Sequence, residues 1–135
     1  MSEAAYIPST SLYSELPGPD WIRLLILEPK SAGCRYHLRS TRIGDARGGY
    51  DALSYCWGDT EKSNGSEVIC NGIRVRIGKN LARALKNLQF RALPRIIWVD
   101  ALCINQEDSQ ERSSQVRLMG KIYSQASRTI MFLGD

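Results

Sequence analysis

Apolar and polar positions change period several times along the chain, and each change predicts an element. "DWIRLLILEPK" opens with an almost continuous apolar run ended by Pro29, the pattern of a buried strand. "CRYHL" is a second, shorter strand, and "RIGDARGGY" is turn material with three glycines. "YDALSYCW" predicts a strand over residues 50–57, followed by a polar loop, "GDTEKSNGS", over 58–66. "EVICNGIRVRIG" gives the sharpest local signal. Asn71-Gly72 sits between two β-rich runs, the signature of a two-residue hairpin turn that needs positive φ. Ile73, Val75 and Ile77 then face one way and Arg74 and Arg76 the other, so this hairpin has one wet face.

The second half changes period. "NLARALKNLQF" predicts an amphipathic helix with Leu81, Leu85 and Leu88 as its apolar stripe, Lys79, Arg83 and Lys86 on another face, and Asn80 as its N-cap. "RIIWVD" is apolar on both faces, as an inner strand of a covered sheet must be. Asp108 and Glu111, three apart, form a capping-box-like pair at the start of a second helix. Val116, Met119, Tyr123 and Ala126 recur at helical spacing and predict that helix's core face. "RTIMFLG" predicts a last strand. Strands alternating with helices from residue 80 onward argue for an α/β fold: a mixed sheet with a parallel section, right-handed crossovers, and the added β-hairpin. Residues 1–20 read as an N-terminal arm and 21–135 as one domain; an apolar strand so near Asp135 suggests a short form or an excised domain, truncated at the C-terminus.

Composition narrows the function classes. At 135 residues with 43% hydrophobic and 24% charged residues, the chain suits one ordinary globular domain. No apolar run reaches the ~18 residues of a membrane span, and the best candidate contains Arg23. No secretory signal is visible, so Cys34, Cys56, Cys70 and Cys103 read as reduced thiols of a cytoplasmic protein. They include no C-x-x-C pair, which argues against a metal centre, and a single histidine, His37, argues against mechanisms that need several imidazoles. The net charge of +4 is uneven: residues 69–99 hold no acid but seven basic residues, Arg74, Arg76, Lys79, Arg83, Lys86, Arg91 and Arg95. That stretch is either a phosphate- or nucleic-acid-facing surface or a solvated face; with only Phe90 interleaved, no base-stacking platform is indicated and the solvated face is the better reading.

In open α/β sheets ligands bind beyond the carboxyl ends of parallel strands. Two polar clusters fall at such ends: Ser54, Tyr55, Trp57, Gly58 and Asp59, and then Asp100, Cys103, Asn105, Gln106, Glu107 and Asp108, with Glu111 and Arg112 on the first helical turn. They share one rim if the strands are parallel neighbours.

Taken together, "YDALSYCWGD", "VICNGIRVRIGKNLARAL", "IIWVDALCINQEDSQERSSQVRLMGKIYSQA" and "MFLGD" resemble the fungal HET (heterokaryon incompatibility) domain over residues 12–135. The resemblance implies a role in fungal non-self recognition, in which incompatible fusion triggers programmed cell death. It also implies a distant likeness to TIR domains, hence a flavodoxin-like three-layer sandwich, signalling by self-assembly and, by analogy with some TIR relatives, cleavage of NAD at the nicotinamide–ribose bond by a helix-borne glutamate. Carried onto this chain, Glu111 becomes the candidate catalytic carboxylate and Asp100 the second, stabilising a ribosyl centre with oxocarbenium character. NAD is then a substrate, with no cofactor required.

Each candidate also has a structural reading. Glu111 can simply complete the capping box, and Asp100 can accept bonds from loop amides. Arg112 can pair with a phosphate or with Asp108 or Glu107. Trp57 can stack on a ring of the nucleotide or belong to the core. Cys103 reads as a small hydrophobe rather than a nucleophile, and Asn105 and Gln106 as loop-shaping side chains. Tyr55, Gly58 and Asp59 complete the expected ligand rim. Two functions follow: an NAD-hydrolysing effector, or a non-catalytic module that acts through homo-oligomerisation or a signalling partner. Nucleic-acid binding is the weaker third.

Overall fold

In the computed structural model, which describes residues 12–33, 35–55 and 65–132, seven strands join in one sheet. In chain order these are β1 (Trp21–Leu27), β2 (Arg35–Arg42), β3 (Asp51–Tyr55), β4 (Ser66–Cys70), β5 (Ile73–Ile77), β6 (Arg95–Trp98) and β7 (Arg128–Phe132). Between them run helices α1 (Lys79–Leu88), the one-turn α2 (Asp100–Cys103) and α3 (Ser109–Gln125). The spatial order is β5–β4–β2–β1–β6–β3–β7.

The sheet is mixed. β6, β3 and β7 run parallel, as do β2 and β4, while β1 is antiparallel to both of its neighbours and β4 to β5. The apolar stretches predicted as inner strands are inner strands: β1 lies between β2 and β6, and β6 between β1 and β3. Ile22, Leu25, Leu27, Ile97, Trp98 and Val99 are fully buried, so the strands' continuous apolar character reflects cover on both faces. The hairpin is as its turn residues require, with Cys70 paired to Ile73 and with φ of 53° at Asn71 and 77° at Gly72.

Two helix expectations are corrected. Helix α1 begins two residues early: Gly78, in extended backbone, is the N-cap, its carbonyl accepts the Ala82 N–H at 3.0 Å, and Asn80 already lies within the helix. Its apolar stripe holds, with Leu81, Ala84 and Leu85 buried and Leu88 packed beside them. Helix α3 is turned relative to the predicted face. Val116 is 54% exposed; Gln115, Ile122 and Gln125 are buried, and Met119, Tyr123 and Ala126 only flank that stripe. The reason is polar. The side-chain amide of Gln115 donates to the Trp21 carbonyl at 2.9 Å, and that of Gln125 to the Ile43 carbonyl at 2.8 Å. Glutamine can occupy a core-facing position when a backbone acceptor waits there, and a purely apolar pattern does not register this.

The part of the N-terminal arm that is described is docked. Leu12 belongs to the core cluster, and the Tyr13 hydroxyl donates to the Leu102 carbonyl at 2.8 Å.

Candidate functional site at the carboxyl ends of the parallel strands

Because β3 lies beside β6 and runs parallel to it, with Asp51 opposite Ile97 and Ala52 opposite Trp98, Ser54 and Tyr55 are carried to the same end of the sheet as the cluster that begins at Asp100. The register on the other side pairs Tyr55 with Phe132, so β7 ends there as well. Ser54 and Tyr55 are half-buried at this rim. Trp57, Gly58 and Asp59, expected beside them, lie outside the described residues.

Where a plain loop was expected after β6, the chain makes the single turn α2 and then a loop knotted by its own side chains. Cys103 N–H and Leu102 N–H both return to the Val99 carbonyl, at 2.8 and 3.2 Å. Asn105 accepts the Glu107 N–H on its side-chain oxygen at 3.2 Å, and its carbonyl accepts the Asp108 N–H at 3.1 Å. The Gln106 side-chain amide donates to the Asp100 carbonyl at 2.8 Å, and Arg112 donates to the Gln106 carbonyl at 3.1 Å. Asn105 and Gln106 therefore shape the loop, as one reading of the sequence had it, and Arg112 reaches a carbonyl rather than the carboxylate of Asp108 or Glu107.

Asp108 is the N-cap of α3, its Oδ1 accepting the Glu111 N–H at 3.1 Å. The other half of the expected capping box is rerouted. The Glu111 carboxylate turns inward to Arg23 of β1, whose Nη1 and Nη2 reach its two oxygens at 2.6 and 2.8 Å, and it also accepts the Asn105 N–H at 2.7 Å. The two side chains are only 4% and 9% exposed. Arg23 also donates from Nη1 to the Cys103 carbonyl at 3.2 Å and from Nη2 to the Ser14 carbonyl at 2.7 Å, and its guanidinium lies 4.8 Å from the Tyr13 ring centroid. One arginine thus ties β1, α2, the start of α3 and the arm. Its role was not read from the sequence, although an arginine inside "WIRLLIL" is a signal: a guanidinium buried in a strand needs a carboxylate and carbonyls around it.

Asp100 is the carboxylate at the end of β6 and is partly exposed. Burial raises its pKa above the ordinary carboxylate value, against the opposing pull of the backbone amides of Ala101 and Asp100 itself. Tyr123 on α3 lies near enough that the Asp100 charge adds to the effect of burial in raising its phenol, and its ring meets Trp98 edge-on at 5.6 Å. Cys103 is fully buried with its thiol raised to about 12 by burial, and its Sγ accepts the Val99 N–H at 3.5 Å. It is a core residue, not a nucleophile. Among the described residues no cluster of three or more His, Cys, Asp or Glu side chains converges as a metal site would need.

At the opposite end of the same strands, Asp51 receives Arg95 at 2.9 Å and Arg128 at 3.6 Å, so the first residues of β6, β3 and β7 are joined by charge. Among the described residues no helix is long and apolar enough to cross a membrane.

The comparisons with known proteins agree with the motifs. The profile of the family described as "Heterokaryon incompatibility protein (HET)" matches residues 50–135. The chain is 39% identical over 98 residues to "Heterokaryon incompatibility protein 6, OR allele" of Neurospora crassa, covering 63% of this chain and 14% of that protein. It is 28% identical over 87 residues to "Vegetative incompatibility protein HET-E-1" of Podospora anserina, covering 64% of this chain and 6% of that one. The chain thus corresponds to a small part of each of these relatives. No solved structure matches it significantly. With its strand-end signatures inside the matched segment, the chain belongs to the heterokaryon incompatibility (HET) family.

Proposed function

We propose that this chain is an effector module of fungal heterokaryon incompatibility that triggers cell death in the cytoplasm through assembly with itself or with a signalling partner, rather than through chemistry at Glu111. The relatives named for incompatibility support the biological role. The observation that carries the mechanism is the two-pronged hold of Arg23 on Glu111. A carboxylate whose oxygens already face a guanidinium and a backbone amide has little charge left for a developing ribosyl cation. In this reading the "INQED" loop and the start of α3 are braced as one rigid surface at the strand ends.

A second reading keeps the nucleotide reaction and moves it to Asp100. Its support is position: Asp100 stands at the end of β6, level with the end of neighbouring parallel β3, where ligands of such sheets bind. NAD would be the substrate, and the parallel section β6–β3–β7 with α3 the part akin to TIR domains. Purified protein incubated with NAD at high protein concentration, with nicotinamide followed by chromatography, separates the two. The module reading expects no nicotinamide, and Asp100→Asn expressed in a fungal host as toxic as the parent. Nicotinamide release abolished by Asp100→Asn would replace it with the hydrolase reading.

A further inference from the structure

A second recognition site lies at the other end of the sheet. Strand β1 is antiparallel to β6, with Leu27 opposite Arg95, so the turn after β1 and the end of α1 meet at the end remote from Asp100. There a cleft of about 340 Å³ is lined by Lys30, Gly33, Lys86, Asn87 and Gln89. Its volume falls at the lower end of the range typical for small-molecule sites.

The charged side chains that line it are both cationic, Lys30 and Lys86. Four carbonyls on its border already hold hydrogen-bond donors. Glu28 and Gly33 carbonyls accept the Gln89 side-chain amide at 2.8 and 2.9 Å, Phe90 accepts the Lys30 N–H at 2.9 Å, and Leu88 accepts Arg95 at 3.1 Å. The adjacent acid, Glu28, is joined to His37 at 2.8 Å. Two exposed lysines from different elements line the cleft, and Asn87 follows Lys86 on the last turn of α1. Gly33, at φ of 83°, has no side chain to narrow the opening, and a Cβ there would meet nothing within 4 Å.

We infer that this cleft binds a small soluble diphosphate, the two ammonium groups taking the phosphates and the Asn87 amide donating to an ester or phosphate oxygen. The site is independent of the strand-end rim and of the proposed function. Both lysines are exposed, so binding weakens as salt rises.

The test is titration of the full chain with inorganic pyrophosphate at low ionic strength, followed by amide chemical shifts. Saturable shifts centred on Lys30, Gly33, Lys86 and Asn87 are expected. The double variant Lys30→Ala/Lys86→Ala should lose at least about ten-fold in affinity, the scale of charge-assisted contacts, with an unchanged melting temperature. Non-saturable shifts, or saturable binding that the double variant retains, would overturn the assignment. A phosphoserine peptide that binds more tightly than pyrophosphate would overturn the small-molecule class.

Discussion

Arg23 and Glu111, 88 residues apart in sequence, form a buried two-pronged ion pair with contacts of 2.6 and 2.8 Å that joins the third residue of β1 to the first turn of α3. Neither charge could be left in that position alone. The desolvation of each is offset by the other and by carbonyl and amide partners: Cys103 and Ser14 for the arginine, Asn105 for the glutamate.

Breaking one side of this pair should therefore cost far more than the pair is worth. Arg23→Met or Glu111→Gln is expected to lower stability by about 3–5 kcal/mol, because the surviving charge stays buried without its partner. The double variant Arg23→Met/Glu111→Met should be much closer to the parent than the sum of the singles. Urea titrations of the four proteins check this, and additive losses would show that the two side chains act independently.

Asp100 sets a pH dependence of definite sign. Burial raises its folded pKa above the ordinary carboxylate value, so the folded state holds a proton that the unfolded state releases. Stability contributed by that proton is complete below the unfolded pKa and is lost as pH rises through the folded one. Asp100→Asn removes the ionisation. Relative to the parent, it should gain in melting temperature at neutral pH and show a smaller gain or none near pH 4. Thermal melts of both proteins across that range decide it; a gain that grows toward acid would contradict the assigned direction.

The thiols of Cys70 and Cys103 should be inert while the fold is intact. Burial raises both to about 12, which leaves roughly one thiolate in ten thousand at pH 8. Alkylation with iodoacetamide followed by peptide mapping should find both unmodified in native protein and fully modified in denaturant. Rapid native labelling of Cys103 would reopen its reading as a reactive group.

Much of the fold was written locally. Pro29 after an almost continuous apolar run, the Asn71-Gly72 turn, the leucine stripe of α1 and the doubly apolar "RIIWVD" each prescribe their element through backbone sterics or the need to bury one face or two, and each element is realised. The Asp108 cap was legible for the same reason, since its bond to the Glu111 N–H spans one turn. The motifs also carried the family, because a signature in fixed order needs no coordinates to be recognised.

What the tertiary structure alone decided are the relations between distant polar groups. Glu111 leaves its cap for Arg23, Gln115 and Gln125 displace Val116 from the core face by finding the Trp21 and Ile43 carbonyls, and parallel pairing of β3 with β6 brings Asp100 to the end of its neighbour strand. An apolar residue is driven inward by its own surface, so its burial can be read from its spacing. A buried polar residue depends on a partner supplied by another element, and only the folded chain says which partner that is.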